Sequence, residues 1–321
     1  MGKSGIGWLK MWVKLQKFWQ LFGVILQEMI GKGGSWMPND LPTYSNEVEN
    51  GNDYRMMFCL DFMNKRLRVD DYSGDIDVIY MRAVEIAKTH ALTKVFIKSH
   101  EVDWQTFLSK GCMLEGIYKG YFNGRDAYCM AIYTHLTRRT SDYWLEEDHI
   151  LEGVLLLPVK PDRPLLPSSM TMRLAQMEDA MQLSQLYSLI FQTYPTPMND
   201  AKYVEKTMRE GTIYYLIESS GELISAASAE INSVYANAEM TDCATLPAYR
   251  NQGLMRLLIH ALEAELITRN VTCAYSLSRA LSFGMNAVFY QMGYRYYGRL
   301  TKNCDIYDKF EDMNLWAKSL K

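Results

Sequence analysis

The sequence predicts an α/β (α+β) chain with a mixed central sheet. Three observations carry that reading: β-rich runs alternate with helical apolar periods, a proline-rich break divides the chain, and a weak repeat spans the break. In the C-terminal half, residues 172–174 read as a short strand. Residues 176–192 read as a helix, with Ala180, Leu183, Leu186, Tyr187 and Ile190 on one face. Strands follow at 214–218 and 223–231 around the turn Ser220-Gly221, then at 238–245. Residues 254–268 form a helix by the spacing of Leu254, Leu257, Leu258, Ala261 and Leu262. A strand at 273–277, a helix at 282–292 and two strands from Tyr294 complete the order β-α-β-β-β-α-β-α-β-β.

Upstream, residues 79–90 read as a helix, 94–98 as a strand and 104–108 as a short helix. The stretch 113–122 and the run 128–133 then flank the hairpin turn Asn123-Gly124. Phe107-Leu108-Ser109-Lys110-Gly111-Cys112 and Phe289-Tyr290-Gln291-Met292-Gly293-Tyr294 share a Phe and a Gly at the same spacing and fall at the same point in the order of elements. The N-terminal half is therefore expected to be a smaller, partial copy of the C-terminal one.

Four prolines between Pro158 and Pro167 make a stiff, extended connector. The expected domains are a basic amphipathic extension at 1–46, an N-terminal α/β domain at 47–157, a linker at 158–169 and a catalytic domain at 170–321. In the extension, Lys10, Lys14 and Lys17 share a helical face opposite Trp8, Trp12, Leu15, Trp19 and Phe22. Residues 8–30 could touch an anionic membrane, but a dispensable extension is the preferred reading. The apolar run 21–26 is too short to span a bilayer.

The 321 residues carry 34 basic and 37 acidic side chains, for a net charge of −3, and this balance argues against a nucleic-acid partner. The six cysteines form no C-x-x-C pair, as expected of reduced thiols in a cytoplasmic protein. The five histidines form no ligand pattern, and no metal is expected.

The most informative stretch is Thr245-Leu246-Pro247-Ala248-Tyr249-Arg250-Asn251-Gln252-Gly253-Leu254-Met255. A strand ends, a short loop follows and a long helix begins. Free N–H groups at a helix start favour an anion, Gly253 lets a pyrophosphate approach the backbone, and Arg250 adds a charged donor. Strand, Arg-x-x-Gly, long helix resembles the acetyl-CoA site of the Gcn5-related N-acetyltransferase superfamily, with Met255 replacing its final small residue. The resemblance implies acetyl-CoA as cosubstrate, held by Arg250, Asn251, Gln252, Gly253, Leu254 and Met255. It implies a backbone N–H among Cys243, Ala244 and Thr245 on the acetyl carbonyl. Asn286 would bind the cofactor, and Tyr290 would protonate the departing thiolate. Glu239 and Asp242 lie on the same strand and face opposite sides, and Asp242, nearer the loop, is the preferred base.

A second set of residues is more particular: Arg279-Ala280, Ser282-Phe283-Gly284-Met285-Asn286, Asn303-Cys304, Phe310-Glu311-Asp312-Met313-Asn314-Leu315-Trp316, Glu115-Gly116-Ile117, and the run from Gly120 to Tyr128. Together they resemble the beta-lysine N-acetyltransferases from about residue 52 to the C-terminus. That family implies acetylation of the terminal amine of beta-lysine to give a neutral compatible solute, with lysine 2,3-aminomutase as pathway partner. Arg279 and Lys119 are the candidate substrate cations, and Glu115 and Glu311 join Asp242 as candidate anions. Another small amine, a polyamine or a peptide N-terminus remains open as acceptor. A non-catalytic acetyl-CoA-sensing module and a homodimer also remain open.

Overall fold

Strand β1 (Tyr44–Asn50) opens a run of antiparallel neighbours, β2 (Tyr54–Asp61) and β3 (Arg66–Gly74). After α1 (Ile76–Thr89) comes β4 (Lys94–His100), parallel to β3. Helix α2 (Trp104–Ser109) and the hairpin β5 (Met113–Phe122) and β6 (Arg125–Tyr133) close the first half. The short α3 (Leu136–Arg139) and α4 (Trp144–Leu155) lead into the proline-rich segment. These come from a computed structural model that describes residues 43–191, 196–306 and 309–320. The predicted N-terminal amphipathic helix lies outside the described residues.

The second half adds β7 (Met170–Leu174), α5 (Ala180–Ile190) and α6 (Ala201–Arg209). It continues with β8 (Ile213–Ser219), β9 (Glu222–Asn232), β10 (Asn237–Thr245), α7 (Leu254–Thr268), β11 (Cys273–Arg279), α8 (Phe283–Gln291), β12 (Arg295–Ile306) and β13 (Lys309–Ser319). The described strands form one sheet in the order β1-β2-β3-β4-β6-β5-β12-β13-β11-β10-β9-β8-β7.

Within that order the repeat is complete. The succession β1-β2-β3-α1-β4-α2-β5-β6 matches β8-β9-β10-α7-β11-α8-β12-β13 in spatial order and in every strand direction. The intervening α3, α4, β7, α5 and α6 lack counterparts. The equivalent strands β5 and β12 meet antiparallel at the middle of the sheet, where Gly116 faces its own counterpart Gly298.

Sequence periodicity missed β1 to β3, α4 and α6. Strand β3 reads Arg66-Leu67-Arg68-Val69-Asp70, a period-2 alternation in which one whole face is charged, as on a strand facing water. Helix α6 has four charged residues in nine and buries only Val204 and Thr207. The predicted helix at 176–192 begins as a 3₁₀ turn at Met177–Asp179, where Asp179 accepts from the Gln176 N–H at 2.7 Å and Arg173 holds its carboxylate at 2.6 and 2.8 Å. No described helix is long and apolar enough to cross a membrane.

Each half buries one face of its sheet under its helices. Leu67, Val69, Val95, Ile97 and Met130 pack under α1 and α2. Ala238, Met240, Ile224 and Trp316 pack with α7 and α8, while α5 and α6 cover Leu216, Ala226 and Ala244 on the opposite face. The faces turned away from α1, α2, α7 and α8 meet in a third core of Phe96, Tyr118, Tyr121, Phe122, Tyr275, Leu300 and Leu315. Tyr118 meets Tyr275 edge-on at 5.1 Å between ring centroids. Asn237 donates to the Tyr121 carbonyl at 2.7 Å and Arg66 to the Asn303 carbonyl at 2.9 Å, tying the halves together away from the seam as well.

The seam imposes a testable constraint. A Cβ on Gly298 would stand 2.2 Å from the Glu115 carbonyl oxygen and 2.5 Å from the Gly116 Cα, at φ +139. Gly298→Ala is expected to destabilise the chain by about 2 kcal/mol or more, through strain and steric overlap. Denaturant unfolding measures this, with Gly124→Ala, where nothing lies within 4 Å of the added Cβ, as the open-turn control.

Candidate functional site

Strand β10 carries the first part of the site. It pairs with β11 only from Asn237 to Glu239, so from Met240 onward its edge toward β11 is open. On its other side the register slips between Thr241 and Ala244, and Asp242 sits at φ +50 within that bulge. The bulge turns the backbone of Cys243, Ala244 and Thr245 relative to a regular strand, beside the opening between β10 and β11. Burial pushes the Cys243 thiol far up, so it stays protonated there.

The strand then leads through Pro247–Tyr249 to Gly253, the N-cap of α7 at φ +76, with Asn251 also left-handed at φ +63. No side chain caps α7. The amides of its first turn and the positive end of its dipole are therefore available to an anion. Leu254 is buried and Met255 packs on the same core, which fixes the helix start and limits both residues to backbone contacts. Arg250 lies on the surface, with Nε donating to the Thr245 carbonyl at 3.2 Å. Pro164 of the proline-rich segment stands 3.5 Å from the place a Gly253 Cβ would occupy.

The equivalent helix start in the first half is closed. Asp75 caps α1, its carboxylate accepting from the Asp77 N–H at 2.8 Å and the Val78 N–H at 3.3 Å, and Asp77 adds a second negative charge. A carboxylate there occupies the place an anionic ligand would take and repels it. Of these two equivalent helix starts, only that of α7 is open.

The second part of the site is a cavity of about 420 Å³ between the facing sides of the halves. On one wall, Glu239 of β10 lies directly across from Glu230 of β9 and beside Tyr275 of β11. Two carboxylates in direct cross-strand register cannot both ionise cheaply. Glu230 still meets solvent in the cleft, yet desolvation by the cleft walls, then Glu239 and Asp242, push it up to about 8. Desolvation also raises Glu239, opposed by Lys98, Arg68 and the Tyr275 hydroxyl. The pair behaves as one unit that holds a proton near neutral pH unless a cation arrives.

The opposite wall comes from β2, β3 and β4. Arg66 is spent on structure: its Nε bonds Asp61 at 2.8 Å. Arg68 Nε bonds both oxygens of Asp70, at 2.8 and 3.0 Å. Lys98 Nζ donates to Asp70 Oδ1 and to the Tyr121 hydroxyl, each at 2.8 Å. Burial alone would push Asp70 up, but Arg68 and Lys98 outweigh it and hold its carboxyl below the usual range. Arg68, Asp70, Lys98 and Glu230 are absent from the residues predicted by sequence. The period-2 charges of Arg66, Arg68 and Asp70 were the available signal for the first half's wall.

The other predicted residues fall in different places. Asp242 lines the cavity but is 4% exposed, and its carboxylate accepts from the Ser228 hydroxyl at 2.6 Å. Glu239, held in the regular part of the strand, lines the same cavity. Asn286 is fully buried: its amide donates to the carbonyls of Arg279 and Ser282, and its oxygen accepts from Asn314 and the Trp316 indole. All its hydrogen-bonding capacity is used in tying α8 to β11 and β13, so in this arrangement it has none left for a cofactor. Tyr290 is half-buried, and its hydroxyl donates to the Leu155 carbonyl at the end of α4, 2.9 Å away. Arg279 lines the cavity with Nε and Nη2 on Glu311 at 2.6 and 2.8 Å, so Glu311 serves to hold Arg279. Glu115 is buried at the seam, where Lys94 pairs with Oε2 at 2.7 Å and Oε1 accepts from the Tyr133 hydroxyl and the Thr301 N–H. Lys119 pairs with Asp126 on the surface. Glu115 and Lys119 are therefore corrected as substrate groups: neither lines the cavity, and both charges are already matched.

Comparison with known proteins gives a consistent result. The acetyltransferase (GNAT) family profile matches residues 180–294. The chain is 42% identical over 260 residues to N-acetyltransferase YodP of Bacillus subtilis, covering 81% of this chain and 94% of that protein. It is 33% identical over 270 residues to the beta-lysine N(6)-acetyltransferase of Methanosarcina mazei, covering 78% of this chain and all of that protein. Among solved structures, the ribosomal-protein-S18-alanine N-acetyltransferase of Escherichia coli aligns at 19% identity with a TM-score of 0.42, covering 47% of this chain and 94% of that one.

The open and closed helix starts lead to a direct expectation. Calorimetry should find one acetyl-CoA bound per chain. Gly253→Glu should abolish that binding in a folded protein, because a carboxylate would then stand where Asp75 stands in the first half. Two sites per chain, or unchanged affinity in the variant, would contradict the assignment.

Proposed function

The chain belongs to the acetyltransferase (GNAT) family and is an acetyl-CoA-dependent N-acetyltransferase; on that premise we propose that its acceptor is beta-lysine, acetylated on the terminal amine. The observation that carries the acceptor is the Glu239–Glu230 pair at the open edge of β10. Beta-lysine has two amines separated by four carbons. Glu239 borders the gap between β10 and β11, and Glu230 lies one strand farther, about 4.8 Å away. The reacting amine is placed at Glu239 and the retained ammonium at Glu230. A diammonium acceptor replaces the shared proton of the pair and leaves both carboxylates ionised. The relative named for beta-lysine acetylation, matched over its whole length, supports the same reading.

Three groups of this chain carry the transfer. Glu239 removes a proton from the ammonium, directly or through water, so that the nitrogen becomes nucleophilic. The backbone amides at the Cys243–Thr245 bulge are the donors for the carbonyl oxygen as it gains negative charge. Tyr290 supplies the proton for the departing thiolate after its hydroxyl turns away from the Leu155 carbonyl. Asp242 keeps its bond to Ser228 and holds the bulge in shape.

In this reading residues 170–321 are the catalytic domain and residues 47–157 wall the acceptor side. The product, N6-acetyl-beta-lysine, is a neutral zwitterion of the compatible-solute type, and a lysine 2,3-aminomutase would supply the acceptor. A polyamine fits less well, since it would place ammonium groups against the wall of Arg66, Arg68 and Lys98. A non-catalytic acetyl-CoA sensor would give no turnover with any amine.

An acetyl-CoA-dependent assay across beta-lysine, alpha-lysine, spermidine and a peptide tests the acceptor. Beta-lysine should exceed the others in kcat/KM by roughly 10²-fold, because a misplaced charge in the cleft goes unpaired. Equal use of the two lysines would remove beta-lysine as the acceptor. Glu239→Gln should lower kcat by roughly 10²–10⁴-fold, and Tyr290→Phe should lower kcat with little change in acetyl-CoA affinity.

The pH profile gives a further check. The carboxylate pair accepts a cation only when ionised, and Glu230 is raised to about 8, so kcat/KM for the acceptor should fall as pH drops below about 8. Glu230→Gln removes the repulsion and should move that acidic limb to lower pH. An unmoved limb would separate Glu230 from acceptor binding.

A further inference from the structure

Arg68 combines a used nitrogen with two unused ones. Its Nε is fixed on both oxygens of Asp70, and among the described residues its two terminal nitrogens make no hydrogen bond to protein. Asp70 is itself held by Lys98, which also bonds Tyr121, so the guanidinium is braced from behind and its outer edge lines the cavity. Two parallel N–H donors in a fixed plane match the two oxygens of a carboxylate.

Across the cavity stand Glu230 and Glu239, close enough for Arg68 and Lys98 to draw both toward the ionised form. Yet no ion pair within 4.0 Å joins either cation to either glutamate among the described residues. Opposite charges face each other across a gap that neither wall closes. A gap of that kind matches a zwitterion, with its ammonium toward the glutamates and its carboxylate toward the arginine.

We propose that Arg68, supplied by the half whose own helix start is closed, binds the carboxylate of the acceptor and is the specificity-determining residue of the site. Asp70 and Lys98 are positioning residues for it. This rests on the acceptor reading above. It differs from the sequence-based choice of Arg279, whose Nε and Nη2 are already engaged by Glu311. In a beta-amino acid the carboxylate lies one methylene beyond the ammonium-bearing carbon. Arg68 on one wall and Glu230 on the other receive the two groups together. The first half of the chain thereby selects amino acids over simple diamines.

The test compares beta-lysine with pentane-1,4-diamine, which keeps both amines at the same separation and lacks the carboxylate. The wild-type chain should favour beta-lysine in kcat/KM. In Arg68→Gln that preference should fall by roughly 10²-fold, carried by KM for beta-lysine, while acetyl-CoA affinity by calorimetry stays within about twofold. Arg68→Lys should restore part of the preference, since it returns the charge without the planar fork. If Arg68→Gln unfolds because Asp70 loses its partner, Arg68→Gln/Asp70→Asn removes both charges and should show the same loss of preference. Preferred turnover of beta-lysine that survives all these substitutions would overturn the carboxylate site alone. Failure of the wild-type chain to use beta-lysine would overturn the acceptor reading, and the carboxylate site with it.

Discussion

Two glycines meeting across the β5–β12 seam are the constraint on which the cleft depends. Gly116 and Gly298 occupy equivalent places in the two halves and pair with each other. The backbones approach so closely that a Cβ on Gly298 would overlap the neighbouring carbonyl. That approach makes one sheet of two and brings one face of each half toward the other. Tyr118, Tyr121 and Tyr275 pack between the halves, and Arg68 of β3, Lys98 of β4, Glu230 of β9 and Glu239 of β10 line the cavity beside them. Without this contact the inner core would lose one wall, and the acidic pair would face open water.

The two halves share an architecture and differ in what they can bind. The difference at the helix starts is small in atoms and large in electrostatics. Gly253 leaves the first turn of α7 uncovered, while Asp75 fills the same place on α1 with a carboxylate. One copy leaves its helix start open to an anion, and the other closes it and lines the cleft. On that wall the charges are matched in part: Asp61 takes Arg66, and Asp70 takes both Arg68 and Lys98. On the facing wall the carboxylates are unmatched with each other. This asymmetry produces a cleft with positive and negative sides.

Burial sets the chemistry of the acidic side. Desolvation is the largest influence on Glu230 and on Glu239, and cross-strand register adds repulsion between them. A carboxylate raised toward neutrality is a better proton acceptor for an amine than one at its ordinary value. The same environment favours exchange of the shared proton for a cationic substrate. Asp242, three residues along, sits in the β10 bulge with its carboxylate on the Ser228 hydroxyl and adds to the negative field on Glu230.

Much of the fold was legible in the sequence because it is written locally. Helix periods, the Asn123-Gly124 and Ser220-Gly221 turns and the strand-to-helix turn at Arg250 to Gly253 depend on residues a few places apart. The repeat was visible as well, since Gly111 and Gly293 close equivalent helices with similar neighbours. Strand β3 was hard to place because its inward face of Arg66, Arg68 and Asp70 reads as a solvated surface, and β1 because Ser45, Asn46, Glu47, Glu49 and Asn50 leave it almost without apolar residues. Glu239 and Asp242 were legible as candidates, but their partners were not, because a one-residue bulge in β10 and the pairing with β9 decide that Glu239 meets Glu230 and Asp242 meets Ser228. Asn286 and Arg279 were recognisable as residue types, while the partners that occupy them, Trp316 and Glu311, lie on a strand far along the chain. The sequence alone determined most elements of the second half, the helices and hairpin of the first, and the uncapped helix start at Gly253. The tertiary structure alone decided which charges meet, because register and sheet closure join strands that share no local code.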